Sequence, residues 1–197
     1  PVAVELREVI RRRRMVRRFD PRPLPAEVLD RILHSATRAP SAGFSQGLDL
    51  LVLEGPEAVR GFWRATTDPR FGKPYSTATP PVIVLVLSDP QAYLDRYGEP
   101  DKAGLGMDTE AGWPVPYWDM DAAMAVMLML LTAVDEGVGA WWFGVFHGAE
   151  TLLRDLGVPE GRRLGAAGRM IAGTAAAAAA PAACCKNTRR VCFDIEL

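Results

Sequence analysis

Two prolines, Pro80 and Pro81, introduce Val82-Ile83-Val84-Leu85-Val86-Leu87, an apolar run rich in β-branched residues with no polar interruption. β-Branched side chains are stiff and fit a pleated backbone. A strand with one wet face alternates polar and apolar residues. An unbroken run is typical of a strand covered on both faces. The chain is therefore expected to carry layers on either side of a sheet, and its 197 residues suffice for one such domain.

The other periodic segments supply those layers. Leu6, Val9 and Ile10 share a helical face near the N-terminus, and Val28, Leu29, Ile32, Leu33 and Ala36 share another after Pro25. That second helix is expected to stop at Ala39-Pro40, because the residue before proline disfavours helix. Leu48 to Leu53 reads as a strand and Pro56 to Ala65 as a short helix. A helix apolar almost all round is predicted from about Met120 to Glu136, capped by Asp119 and stopped by Gly137. Its charge-free stretch, Ala122 to Val134, is short for a membrane span and reads as a buried core helix. Ala140 to Phe146 reads as an aromatic strand, and Thr151 to Leu156 as a last short helix. Ser88 to Pro116 is expected to be a long loop, and Gly165 to Ala183 is low-complexity Gly and Ala. Helices alternating with strands indicate α+β or α/β.

With 49% hydrophobic and 24% charged residues and a net charge of −1, the chain is no polycation, and nucleic acid is not its default partner. Its charge is nevertheless uneven: residues 1–22 hold eight arginines against Glu5, Glu8 and Asp20. The cysteines, Cys184, Cys185 and Cys192, show no zinc spacing with His34 or His147, so no metal is expected. They fit a reducing cytoplasm, and the charged first residues do not read as a signal peptide.

Three constellations are candidates for chemistry. Arg13, Arg14 and Arg17 are expected on the last turn of the first helix, where guanidinium forks match phosphate oxygens; a solvated basic face or an RNA-touching patch is the plainer reading. Ala39-Pro40-Ser41-Ala42-Gly43-Phe44-Ser45-Gln46 is a small-residue loop that lets a flat ligand approach the backbone, or simply a helix-to-strand turn. In Trp141-Trp142-Phe143-Gly144-Val145-Phe146, a glycine breaks a row of aromatics and marks close approach, or the segment is plain core.

Taken in order, Arg-Arg-x-Val-Arg-x-Phe, Ala-Pro-Ser-x-x-x-x-Gln and Gly-x-Gly-x-x-Trp-Phe-Gly-x-Phe resemble the nitroreductase superfamily over about Val9 to Glu160. The resemblance implies an α+β fold with a central mixed sheet flanked by helices, in an intertwined homodimer with FMN between subunits. It implies a domain over residues 1–164, with 165–197 as an atypical tail of the same domain. It puts Arg13, Arg14 and Arg17 on the flavin phosphate and ribityl chain, with Met15 where the family often has Ser. Pro40, Ser41, Ala42 and Gly43 become the loop that meets the flavin from the partner subunit, with Phe44 in place of a common Asn and Gln46 in a structural role. Trp142, Phe143 and Gly144 become the strand along the isoalloxazine ring, offering backbone donors. Phe71, Tyr75 and Trp113, with Tyr117 and Trp118, are expected to line the substrate mouth. Lys186, Arg189 or Arg190 stands where the family often returns a basic residue to the phosphate.

The activity implied is electron transfer from NAD(P)H to a nitroaromatic, quinone or similar flat acceptor. No catalytic acid or base is expected, since the cofactor carries the chemistry. No strand–GxGxxG–helix unit occurs, so donor and acceptor are expected to share one site in a ping-pong scheme. The alternative is a flavin-binding protein with little turnover, for storage or sensing.

Overall fold

The computed structural model describes residues 5–71, 80–173 and 188–191. The short helix α1 (Leu6–Arg12) leads through an extended segment to α2 (Ala26–Ser35), then β1 (Leu48–Glu54), α3 (Gly55–Thr66) and β2 (Val82–Ser88). There follow α4 (Pro90–Tyr97), α5 (Tyr117–Asp135), β3 (Gly139–Phe143), α6 (Ala149–Asp155), β4 (Arg163–Gly173) and β5 (Thr188–Val191).

The strands form one sheet in the order β3-β4-β2-β1-β5. Every ladder is antiparallel. The expected mixed sheet is thus antiparallel among the described strands, with one parallel pairing, the isolated bridge between Met15 and Ala140. Its cause is the strand order: β1 and β2 are joined through a helix yet run in opposite directions.

β2 lies in the middle, as its sequence requires. Val82, Val84 and Val86 face one core with Leu29, Ile32 and Leu33 of α2 and Ala125, Val126, Met129 and Leu130 of α5. Ile83, Leu85 and Leu87 face the other, with Val59 and Phe62 of α3 and Leu152 of α6. All six are at most 2% exposed. Burying one such side chain stabilises by about 1.5–3 kcal/mol, so this strand anchors both layers.

Three expectations are corrected. The region Ser88 to Pro116 contains α4. Asp89 caps it by accepting the Gln91 N–H at 3.1 Å, and Pro90 occupies its first turn. That Asp-Pro pair was the sequence signal for it. α5 begins at Tyr117, so Asp119 sits in its first turn and accepts the Ser88 hydroxyl at 3.0 Å instead of capping. The Gly- and Ala-rich stretch supplies β4, which pairs with both β2 and β3. A Cβ on Gly165 would lie 2.9 Å from the Ala122 methyl, so close packing of α5 demands a small residue where β-propensity alone would not place one.

α5 has the length and apolar composition of a membrane span. Eight of its residues are buried within the domain, including Ala125, Val126, Met129 and Leu130, and its Met120, Met124 and Met127 are exposed. Arg162 ties three strand ends together, donating to Asp49 at 2.6 Å and pairing with Asp89.

Candidate flavin site

α1 ends earlier than expected. Glu8 gathers Arg11 and Arg12, each at 2.6 Å, and these two cations hold its carboxyl down to about 2. Arg13 already has extended backbone (ψ 120°) after closing the helix onto the Val9 carbonyl at 3.0 Å. Arg13, Arg14 and Arg17 therefore lie on an extended segment past the helix and not on its last turn. Arg14 and Arg17 are exposed and Arg13 is half-buried. Neither Arg13 nor Arg14 has an acid partner among the described residues.

The segment is extended because it docks on the edge of β3. The Val16 N–H donates to the Ala140 carbonyl at 2.9 Å. The Met15 sulfur accepts the Trp142 N–H at 3.5 Å. Gly139 makes this approach possible: a Cβ there would stand 2.9 Å from Val16 Cγ1. Arg17 then lies over the Trp141 indole, 5.3 Å from its centroid. Phe19, 6% exposed, anchors the far end in the second core.

Alternation along β3 sorts its aromatics. Trp141 and Phe143 face the second core, where Phe143 stacks on Trp141 at 4.7 Å and on Trp63 at 5.5 Å. The Phe143 ring is thus committed to packing. Trp142 lies against the first core, and its buried Nε1–H finds no acceptor among the described residues. The expected backbone donor at Trp142 is already engaged by the Met15 sulfur, a contact between residues far apart in the chain.

The loop after α2 is built on different elements. Gly43, Phe44 and Gln46 all adopt left-handed backbone, with φ of 62°, 59° and 53°. For a side chain other than glycine this costs about 1–3 kcal/mol, so the surroundings must enforce it. The Ser41 hydroxyl accepts the Gln46 N–H at 2.8 Å, and the Ser45 hydroxyl donates to the Ala42 carbonyl at 2.7 Å. Arg96 of α4 donates to the Gly43 carbonyl at 3.0 Å. The Ala42 N–H donates to Asp121 of α5 at 2.8 Å. Gln46 contributes its backbone, which fits the structural role expected of it.

A concave pocket opens against this loop, lined by Pro40, Ser41, Phe44, Tyr93 and Asp121 among others. Tyr93, 1% exposed, donates its hydroxyl to Asp121 at 2.8 Å. Burial pushes the Tyr93 phenol up; the Asp121 carboxylate adds to the rise, and Ser41 works against it. Sequence reasoning missed both Tyr93 and Asp121: the first sat in a presumed loop, the second inside an apolar helix.

Of the expected mouth residues, Trp113 is 7% exposed and anchored by its indole N–H on the Met107 carbonyl at 2.7 Å. It packs with Tyr93, Tyr97 and Trp118 in an aromatic cluster. Trp113 and Trp118 are thus buried anchors, since their rings fill the space between α4 and α5. Phe71 ends a short 3-10 turn, Pro69–Phe71, and its side chain, like the whole of Tyr75, lies outside the described residues. So does Lys186; Arg189 and Arg190 fall in β5, opposite Val52 and Leu51 of β1.

A phosphorylated flat cofactor fits what is present. The guanidiniums of Arg13 and Arg14, without an acid partner among the described residues, suit a phosphate. Trp142 Nε1 is a buried donor awaiting an acceptor. Gly43 keeps the loop thin, for a Cβ there would meet the Tyr97 ring at 2.5 Å.

Comparison with known proteins gives the family. The nitroreductase family model matches residues 10–99. The chain is 30% identical over 159 residues to a protein of Archaeoglobus fulgidus named NADH dehydrogenase/NAD(P)H nitroreductase, covering 79% of this chain and 78% of that one. A protein of the same name from Methanothermobacter thermautotrophicus is 25% identical over 163 residues, covering 80% and 71%. The chain belongs to the nitroreductase family, a family of oxidoreductases. Its fold matches the crystal structure of a nitroreductase family protein from Clostridium novyi with a TM-score of 0.67 at 20% identity, covering 87% of this chain and 85% of that one. It matches an FMN-dependent nitroreductase from Clostridium difficile with a TM-score of 0.64 at 17% identity, covering 87% and 88%.

Proposed function

We propose that this chain is an FMN-dependent NAD(P)H oxidoreductase acting on nitroaromatics, quinones or similar flat acceptors. The observation that carries the reading is the placement of Arg13, Arg14 and Arg17 on an extended segment locked to the edge of the Trp142 strand. Phosphate donors and an aromatic strand with a spare indole N–H are thereby set side by side.

Arg13, Arg14 and Arg17 would bind the phosphate and orient the ribityl chain. Met15 would hold the Trp142 peptide fixed, and Trp142, Phe143 and Gly144 would border the ring by their backbone. Pro40, Ser41, Ala42, Gly43 and Phe44 would close the site from a second subunit. FMN, when bound, supplies transfer of hydride or single electrons between a nicotinamide and the acceptor. No residue is assigned to acid or base catalysis. One site serving donor and acceptor in turn gives ping-pong kinetics.

A homodimer is part of the proposal. Met120, Met124 and Met127 of α5 are 39–47% exposed, and Leu6 and Ile10 of α1 are 64% and 57% exposed. Apolar side chains on packed neighbouring helices are costly to leave in water and suit a second copy. A reducing cytoplasm suits the cysteine usage.

The test is a visible spectrum of the purified protein before and after incubation with FMN, followed by anaerobic titration with NADH and NADPH. Bound flavin bleached by either nucleotide supports the proposal. A protein that takes up no flavin defeats it, and bound flavin that neither nucleotide bleaches moves the reading to storage or sensing.

A further inference from the structure

Asp121 is an anomaly in its helix. Apart from Asp119 in its first turn and Asp135 at its end, α5 carries no other charge, and the Asp121 carboxylate is 7% exposed. It has no cationic partner among the described residues. A buried carboxylate without a counter-ion is unfavourable unless hydrogen bonds replace its lost hydration. Both donors that satisfy it come from outside the helix and meet the same oxygen: the Ala42 N–H and the Tyr93 hydroxyl, each at 2.8 Å.

What the carboxylate gains is control of the loop. Ala42 directly precedes the left-handed pair Gly43 and Phe44. The Ser45 hydroxyl bonds within the loop, and the Ser41 hydroxyl accepts the Gln46 N–H and also meets the Tyr93 hydroxyl. The loop backbone is tied outward at Ala42, whose N–H donates to Asp121, and at Gly43, whose carbonyl accepts from Arg96. The side chain left over is Phe44, 57% exposed despite its strained backbone. A phenyl ring held in a disfavoured conformation and in water stabilises nothing in the free chain. Such outliers occur where a ligand is met.

We propose that Asp121 is a positioning residue of the flavin site, fixing the Ala42 peptide and through it the left-handed turn that presents the Phe44 ring to the cofactor. This rests on the flavin reading above. Tyr93 is the brace: its hydroxyl orients the carboxylate, and its ring packs where a Cβ on Gly47 would meet Tyr93 Cε2 at 2.7 Å.

The experiment uses the full chain and FMN as the probe. Dissociation constants are read from quenching of flavin fluorescence, and hydrogen exchange of residues 40–46 is followed without FMN. Asp121→Ala is expected to speed exchange at Ala42 and weaken FMN by about tenfold or more, the loss of a hydrogen bond to a charged group. Asp121→Asn should lose less, because its amide oxygen still accepts the Ala42 N–H. In a Phe44→Gly background, where glycine adopts the turn freely and no ring is presented, Asp121→Ala should add less than about threefold.

Full additivity of the two changes overturns the proposal, as does unaltered FMN binding by a folded Asp121→Ala protein. Should Asp121→Ala fail to fold, Asp121→Asn and Tyr93→Phe decide. Tyr93→Phe keeps the charged acceptor of the Ala42 N–H, which Asp121→Asn replaces with a weaker neutral one, and should bind FMN more tightly than Asp121→Asn; the reverse order overturns the proposal. Wild-type protein that binds no FMN sinks the flavin reading and this role together, whereas wild-type binding matched by Asp121→Ala sinks the positioning role alone.

Discussion

The Met15 sulfur accepts the backbone N–H of Trp142 at 3.5 Å, joining the arginine segment to the aromatic edge strand. Met15 also packs against both hydrophobic cores. Replacing it with serine, common at this place in the family, should have opposite effects on fold and site. Stability should fall by about 1–3 kcal/mol through lost packing. FMN should bind a few-fold more tightly, because a hydroxyl beside the arginines offers the phosphate a further donor. Thermal unfolding and flavin titration on the same preparation read both. A tighter fold or weaker flavin binding would contradict this account of Met15.

Glu8 offsets one unit of the positive charge near the arginine segment, since its single carboxylate is shared by Arg11 and Arg12. Glu8→Gln frees both guanidiniums and should tighten FMN binding at low salt, with the gain fading as salt rises. Arg14→Ala should weaken it by about tenfold or more. Titrations at two salt concentrations distinguish the screened effect from the direct contact.

Tyr93 makes the fold sensitive to alkali. Burial, then the bond to Asp121, raises its phenol above the ordinary value of about 10. The folded state therefore keeps a proton that the unfolded chain releases. The stabilisation is fully present below the unfolded value and is lost as pH rises towards the folded one. The melting temperature of wild-type protein should fall above pH of about 10, and Tyr93→Phe should lose this part of the slope. Melting curves of the two proteins from neutral to alkaline pH check it.

Leu85 has no exposed surface and sits in β2 beside Ile83, Phe62 and Trp141 in the second core. Leu85→Ala should cost about 2–5 kcal/mol, read by chemical denaturation. The Gly139 site should respond differently. Gly139→Val would drive a side chain into Val16, displacing the arginine segment. It should lose FMN binding out of proportion to its loss of stability.

Much of the layer structure was written in local pattern. The run from Val82 to Leu87 required two covered faces, and the alternate residues divide between two cores. The stripe from Val28 to Ala36 and the long apolar stretch of α5 announced the helices that cover one of them. Gly137, at φ 71°, ends α5 where the sequence indicated. Such features are legible because burial and backbone preference act over one or two turns of chain.

Where contacts join distant residues, the sequence was silent. Arg13 to Arg17 read as the end of a helix, and pairing of Val16 with Ala140 drew them out straight. Gly165 to Ala183 read as low complexity, and two neighbouring strands together with the crowding of Ala122 made its first part, to Gly173, an interior strand. Asp121 was one carboxylate in an apolar helix until the fold brought Ala42 and Tyr93 to it. Residue type fixes what a side chain is able to bond, but hydrogen bonds are short, and only the folded chain decides which partner comes within reach.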